Sequence, residues 1–150
     1  MKFKFPLQKV LLHRKTLEDL AQRDFQEAMA VLNTEVAKLE KMRESIQTAR
    51  ESSFRRLSDG GKASPALDQA FDFIKGQDIR MERQGEKIKE CESLVENLRE
   101  ILRQRAIDYK MIEKLKEKKM AEFKKEYRHK EQKNADELNV MRFVREDVES

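Results

Sequence analysis

Tryptophan is absent from this 150-residue sequence, cysteine occurs once, proline twice and glycine four times. A lone thiol, Cys91, cannot close an internal disulfide and suits a reducing compartment. No run approaches the roughly 20 apolar residues of a membrane span. The opening Met1-Lys2-Phe3-Lys4-Phe5-Pro6 starts like a secretory leader, but Gln8, Lys9, His13 and Arg14 interrupt any apolar stretch and no small-residue cleavage site follows. These shortages together predict a cytoplasmic protein. An excess of one charge is also missing, since 33 Lys and Arg stand against 29 Asp and Glu. Charges so interspersed do not make the basic block that a phosphate backbone attracts.

What is present is charge, at 41% of residues, and a set rich in Ala, Glu, Lys, Leu and Arg. Long helices and coiled coils have that composition. Disorder would share it, but disorder has no apolar periodicity. Here Phe25, Leu32, Leu39 and Ile46 lie seven apart, and so do Ala21, Ala28, Met42 and Ala49 once Glu35, with Val36 beside it, is passed. Further on, Ile74, Met81, Ile88, Val95, Leu102 and Tyr109 keep the same interval, with Phe123 two heptads later. Their partner positions carry Ala70, Cys91, Leu98 and Ile112, with Gln77, Gln84 and Arg105 as polar exceptions. Two apolar positions per heptad sustained in this way predict a left-handed coiled coil.

One interruption is strong, Ser58-Asp59-Gly60-Gly61-Lys62-Ala63-Ser64-Pro65. The glycines free the backbone, Ser64 suits an N-cap, Pro65 suits a first helical position and Asp68 favours the positive end of a helix. The expected fold is therefore all-α, a two-helix antiparallel coiled-coil hairpin in a single domain spanning 1–150. Helix 1 is expected from about Pro6 to Leu57, a turn over 58–65, and helix 2 from about Pro65 to Val144. At 1.5 Å per residue the helices would span roughly 75 Å and roughly 120 Å. Folding back at the glycines sets Leu7 near Lys116, so the last 25 to 30 residues, roughly 40 Å of helix, overhang the pair. Their seam decays as well, with Lys116, Lys119, Glu126 and Lys130 where apolar residues stood before. Such an end either frays or is ordered by a partner.

Catalytic or ligand chemistry finds no footing. His13 and His129 stand alone, without the ligand-spaced neighbours that a metal site requires. Gly60-Gly61-Lys62 lacks the earlier glycine, the following Ser or Thr and the preceding strand of a phosphate loop. Cys91 falls on the seam and reads as a small buried hydrophobe. The carboxylates lie on exposed helix faces, where nothing excludes water. No enzyme activity, cofactor, metal or small-molecule ligand is expected.

Two regions look made for protein contact. From Lys110 to Lys133, ten basic residues stand against five glutamates, a local excess of five. It reads either as a docking end for an acidic protein surface, an anionic membrane or RNA, or as a solvated helix face of mixed charge. Phe123 and Tyr127, four apart, fit side-chain packing better than base stacking. Just after the turn come Phe71, Phe73 and Ile74, of which only one or two can face helix 1. Either an aromatic is left exposed for a partner, or the three join Phe54 in a wider cap.

The opening Phe3-Lys4-Phe5-Pro6-Leu7-Gln8-Lys9-Val10-Leu11, with Arg14 after it, resembles the start of the FliJ family of flagellar export proteins. Tyr109, the run Ile112-Glu113-Lys114-Leu115-Lys116-Glu117-Lys118-Lys119, Tyr127 and the pair Asp136-Glu137 follow in the order expected there. Total length, the early turn and the longer second helix are similar too. The resemblance implies a stalk of the flagellar type III export apparatus, like the two-helix part of the rotary ATP synthase gamma subunit. Such a stalk sits in the hexameric export ATPase, promotes its assembly and activity, touches the large export-gate membrane protein and meets export chaperones. It would lie peripherally at the inner membrane of the flagellar base. By the same resemblance, Leu7, Val10, Leu11, Arg14, Glu113, Lys114, Leu115, Lys118 and Lys119 would meet the ATPase ring, and Phe71, Phe73 and Ile74 the gate. Gln77, Arg80 and Gln84 are more polar than a gate surface would be. An injectisome counterpart would look much the same. A generic coiled-coil scaffold would form a stable dimer over its overhang. A nucleic-acid-binding hairpin arm would need its basic residues on one face of the paired region, whereas here they gather at the unpaired end, so no nucleic acid is expected.

Overall fold

The computed structural model describes residues 2–58 and 65–149. It consists of α1, Gln8–Ser58, and α2, Pro65–Glu149. The glycine-rich turn of the sequence analysis, with Gly60, Gly61 and Ser64, lies outside the described residues. Pro6 stands in a turn ahead of α1, closed by the Gln8 amide donating to the Phe5 carbonyl at 3.1 Å. Proline has no N–H to give and its fixed φ suits that turn position. The helical ladder then opens with Leu11 N–H on the Leu7 carbonyl at 2.9 Å. Pro65 opens α2, with Asp68 in the first turn against the exposed amides of the helix start.

The chain divides into two compact units, residues 19–104 and residues 1–18 with 105–150. In the first, Arg99 lies over the Phe25 ring at 5.5 Å, and Gln84 meets Glu35. In the second, Phe3 meets Phe123 at 5.5 Å between ring centres, and Arg14 bonds Asp108. Within each unit the partner's number falls on α2 as it rises on α1, which is antiparallel pairing. The buried and half-buried side chains follow one heptad rhythm. On α2 they include Leu67, Ala70, Ile74, Gln77, Met81, Gln84, Ile88, Cys91, Val95, Leu98 and Leu102. On α1 they include Leu11, Ala21, Phe25, Ala28, Leu32, Glu35, Leu39, Met42, Ile46, Ala49 and Ser53. The two-helix antiparallel coiled coil expected from the spacing is the fold. Its core is a narrow seam, deepest at Leu67 and Val95 with 3% exposure each. Stability therefore depends on many modest burials in line, a fully buried Leu, Ile or Val contributing about 1.5–3 kcal/mol and the alanines and half-buried residues less. The i,i+3 and i,i+4 ion pairs outside, such as Arg103–Glu100 and Arg23–Glu27, add little because water screens them.

One seam layer is polar. Glu35 is 5% exposed, whereas Val36 beside it is 46% exposed. The Gln84 amide donates to the Glu35 carboxylate at 2.6 Å and to the Glu35 main-chain carbonyl at 2.8 Å. Lys38 and Lys87 reach the second carboxylate oxygen at 3.2 and 3.5 Å. A carboxylate so supplied is held below its ordinary pKa, by the Gln84 hydrogen bond first and then by the two lysines, while burial works the other way. A depressed folded pKa means the layer stabilises unit 19–104 fully above the unfolded glutamate value and loses that support as pH falls through the folded value. Thermal melts from pH 6 down to pH 3 are expected to show this, with Glu35→Gln giving a shallower fall than the wild type below about pH 4.3. At neutral pH, Gln84→Leu is expected to lower Tm by roughly 4–8 °C, because it strips the carboxylate of its cross-helix donor. A wild-type Tm in Gln84→Leu would mean that the layer does not hold the pair.

Candidate interaction surfaces

In the unit formed by residues 1–18 and 105–150, the N-terminal strap lies along α2. Phe3 tilts onto Phe123, whose ring stacks on Tyr127 at 6.4 Å. Phe3, Pro6, Leu7, Leu115, Lys119 and Phe123 line a groove of about 450 Å³. Deeper in, Arg14 Nη1 donates to the Asp108 carbonyl at 2.8 Å, and Lys15 stands 5.1 Å over the Tyr109 ring. The Glu113 carboxylate, bonded to the Tyr109 hydroxyl, is the main cause holding that hydroxyl above its ordinary pKa, with burial adding to it.

The residues assigned to an ATPase ring thus divide by accessibility. Leu11 is a seam residue, only 7% exposed. Arg14, Glu113 and Leu115 are half-buried, and the first two already serve cross-helix or local bonds. Leu7, Val10, Lys114, Lys118 and Lys119 are exposed, and Lys119 pairs with Glu122 at 3.6 Å. In the other unit, Phe71 and Phe73 are exposed and Ile74 turns into the seam. Phe54 is 71% exposed and caps nothing, because the heptad puts Ser53 inward instead. The wider aromatic cap is therefore not formed, and Phe54, Phe71 and Phe73 offer three exposed rings in one unit.

Past Phe123, every described side chain of α2 is exposed, as the overhang requires. Within that stretch lies a feature the sequence reading passed over. Val140, Met141, Val144 and Val148 share one helix face, flanked by Leu138 and Phe143, and all six are more than half exposed. Asn139, Arg142, Glu146 and Glu149 occupy the opposite face. The i, i+4, i+8 spacing of the three valines was the available signal. It goes unnoticed when the seam is taken to end at Glu126, Lys130 and Lys133, although the same register reaches Val140 and Val144 one to two heptads later.

Among the described residues no helix is long and apolar enough to cross a membrane, and no group of three potential metal ligands occurs. Cys91 is a half-buried free thiol in the seam.

A comparison with curated protein sequences gives no match. A solved structure described as a YscO homolog from Chlamydia trachomatis superposes with a TM-score of 0.55 and 22% identity, covering 93% of this chain and 94% of that one. It has the same fold. The family model for the flagellar FliJ protein matches residues 3–147, from the aromatic strap to the far end of the overhang. The chain belongs to the FliJ family.

Proposed function

We propose that this protein is a non-enzymatic stalk of the flagellar type III export apparatus, entering the hexameric export ATPase and promoting its assembly and activity. The carrying observation is the FliJ family match over residues 3–147. It is supported by a helix end that no other part of the described chain covers. The working surface for the ring is the exposed set Leu7, Val10, Lys114, Lys118 and Lys119, with α2 beyond it; Leu11, Arg14, Glu113 and Leu115 hold that surface in shape. At the other unit, Phe71 and Phe73 are the contacts for the large membrane export-gate protein, with Ile74 fixing them on the seam. Export chaperones are further partners, and the protein works peripherally at the inner membrane of the flagellar base.

Physical chemistry suits such a role. Between Lys110 and Lys133 ten basic residues stand against five glutamates, and all ten but the half-buried Lys116 are exposed. Charges on an exposed surface set orientation and association rate more than affinity, and they do so in a salt-dependent way. A stalk held like that engages its ring transiently and lets go. The test is hexamer formation and ATP hydrolysis by the cognate export ATPase, with and without the protein; a rise in both at substoichiometric amounts is the expected result, and no change in either would remove the stalk reading. Lys118→Glu with Lys119→Glu is expected to leave the melting curve in place while weakening ring association roughly tenfold at 0.1 M salt, with the deficit shrinking at 0.5 M. Equal affinity in both salts would exclude the electrostatic account.

A further inference from the structure

Within unit 19–104, one stretch of α2 works against its own helix. Residues 76–85 begin and end on glycine, Gly76 and Gly85, each next to a buried glutamine, Gln77 and Gln84. A Cβ added at either glycine would meet nothing within 4 Å. No neighbour on the chain therefore excludes alanine there, yet each glycine weakens the helix roughly fivefold against alanine. The seam is thin over the same residues. Between Ile74 and Ile88 the inward positions of α2 are Gln77, Met81 and Gln84, so a flexible thioether is the one apolar side chain among them. Gln77 takes a hydrogen bond from Arg80 on its own helix at 3.1 Å, and Gln84 depends on Glu35. Beyond the stretch the seam resumes with Ile88, Cys91, Val95, Leu98 and Leu102. Backbone weakness and core weakness thus coincide, and helices bend where glycine or a polar insertion loosens the ladder.

We infer that residues 76–85 are a built-in joint, at which α2 bends while the seam from Ile88 to Leu102 stays shut. The segment before it, carrying the exposed Phe71 and Phe73 and seated in the seam at Leu67, then swings together with the end of α1 as a short arm and can meet a partner surface over a range of directions. The polar layer Glu35–Gln84 marks the joint and restores register each time it closes, since only one pairing gives the carboxylate its donor. This joint does not depend on which partner the arm meets.

Spin labels at Asp72→Cys and Glu92→Cys, in the full-length chain with Cys91→Ala, read the bend directly. Both sites are exposed on α2, roughly 30 Å apart along a straight helix. Double electron–electron resonance is expected to give a broad distribution with a shorter-distance shoulder. Gly76→Ala with Gly85→Ala should collapse it to one narrow peak near the straight-helix value. Amide exchange across 77–87 should be at least tenfold faster than across 92–102, and the double alanine should slow it by roughly tenfold while leaving 92–102 unchanged. A narrow distance peak already in the wild type, or a breadth and exchange rate that the alanines do not alter, would overturn the joint.

Discussion

Val95→Asp is expected to destabilise the coil by about 3–5 kcal/mol, whereas the same change one residue earlier, Leu94→Asp, is expected to cost no more than about 1 kcal/mol. Both positions are aliphatic and helical, and apolar side-chain size alone would rank leucine as the worse loss. The seam decides otherwise. Val95 is 3% exposed and Leu94 52%. An aspartate at 95 would be dehydrated between two helices, with neither of the donors that Glu35 has in Gln84 and Lys87. At 94 it would stand in water and lose only some helix propensity. Thermal melts of the two variants check this, and equal losses would mean that the seam does not run through Val95.

Ending the chain at Phe123 is expected to abolish stimulation of the export ATPase while leaving stability within about 1 kcal/mol of the full-length protein. The cut keeps the Phe3–Phe123 contact and the whole paired seam. Everything removed is exposed, and the paired seam loses from it only the Tyr127 ring stacked on Phe123. The lost stretch includes the amphipathic face of Val140, Val144 and Val148 together with the basic residues Lys124, Lys125 and Arg128. Replacing the three valines by serine in the full chain divides the two contributions: a full loss assigns the effect to the apolar face, and an unaltered rate assigns it to the basic stretch. Undiminished stimulation by the shortened chain would move the working end elsewhere.

The seam was legible in the sequence because a heptad is a geometric constraint before it is a chemical one. Once Leu32 and Leu39 face α2, the residue between them at 35 must face it too, whatever its polarity. Glu35 is therefore inward and Val36 outward, although a hydropathy reading sees a break there. Gln84 makes that tolerable, and which residue of a distant helix stands opposite Glu35 depends on a register no single-sequence pattern prints. The overhang was equally legible, since it follows from two unequal helix lengths. Its apolar face was not, because the old seam turns to lysine and glutamate at 126, 130 and 133 before the same register turns apolar again at Val140 and Val144. Of the contact residues, sequence order carried a resemblance but not accessibility. Leu11 and Ile74 turn out to serve the seam, while Leu7, Lys114, Phe71 and Phe73 are the ones left outside.

Antiparallel pairing also orders the birth of the molecule. Gln84 lies 49 residues after Glu35, and Asp108 lies 94 residues after Arg14. Contacts nested in this way close from the inside outward, each short closure sparing the next one most of its loop entropy. At roughly 5–20 residues per second, Arg14 waits roughly 5–20 s for its acceptor to be synthesised. The helix made first is the last to be covered, and a chaperone that favours exposed apolar stripes has its longest opportunity at Leu11 and Ala21.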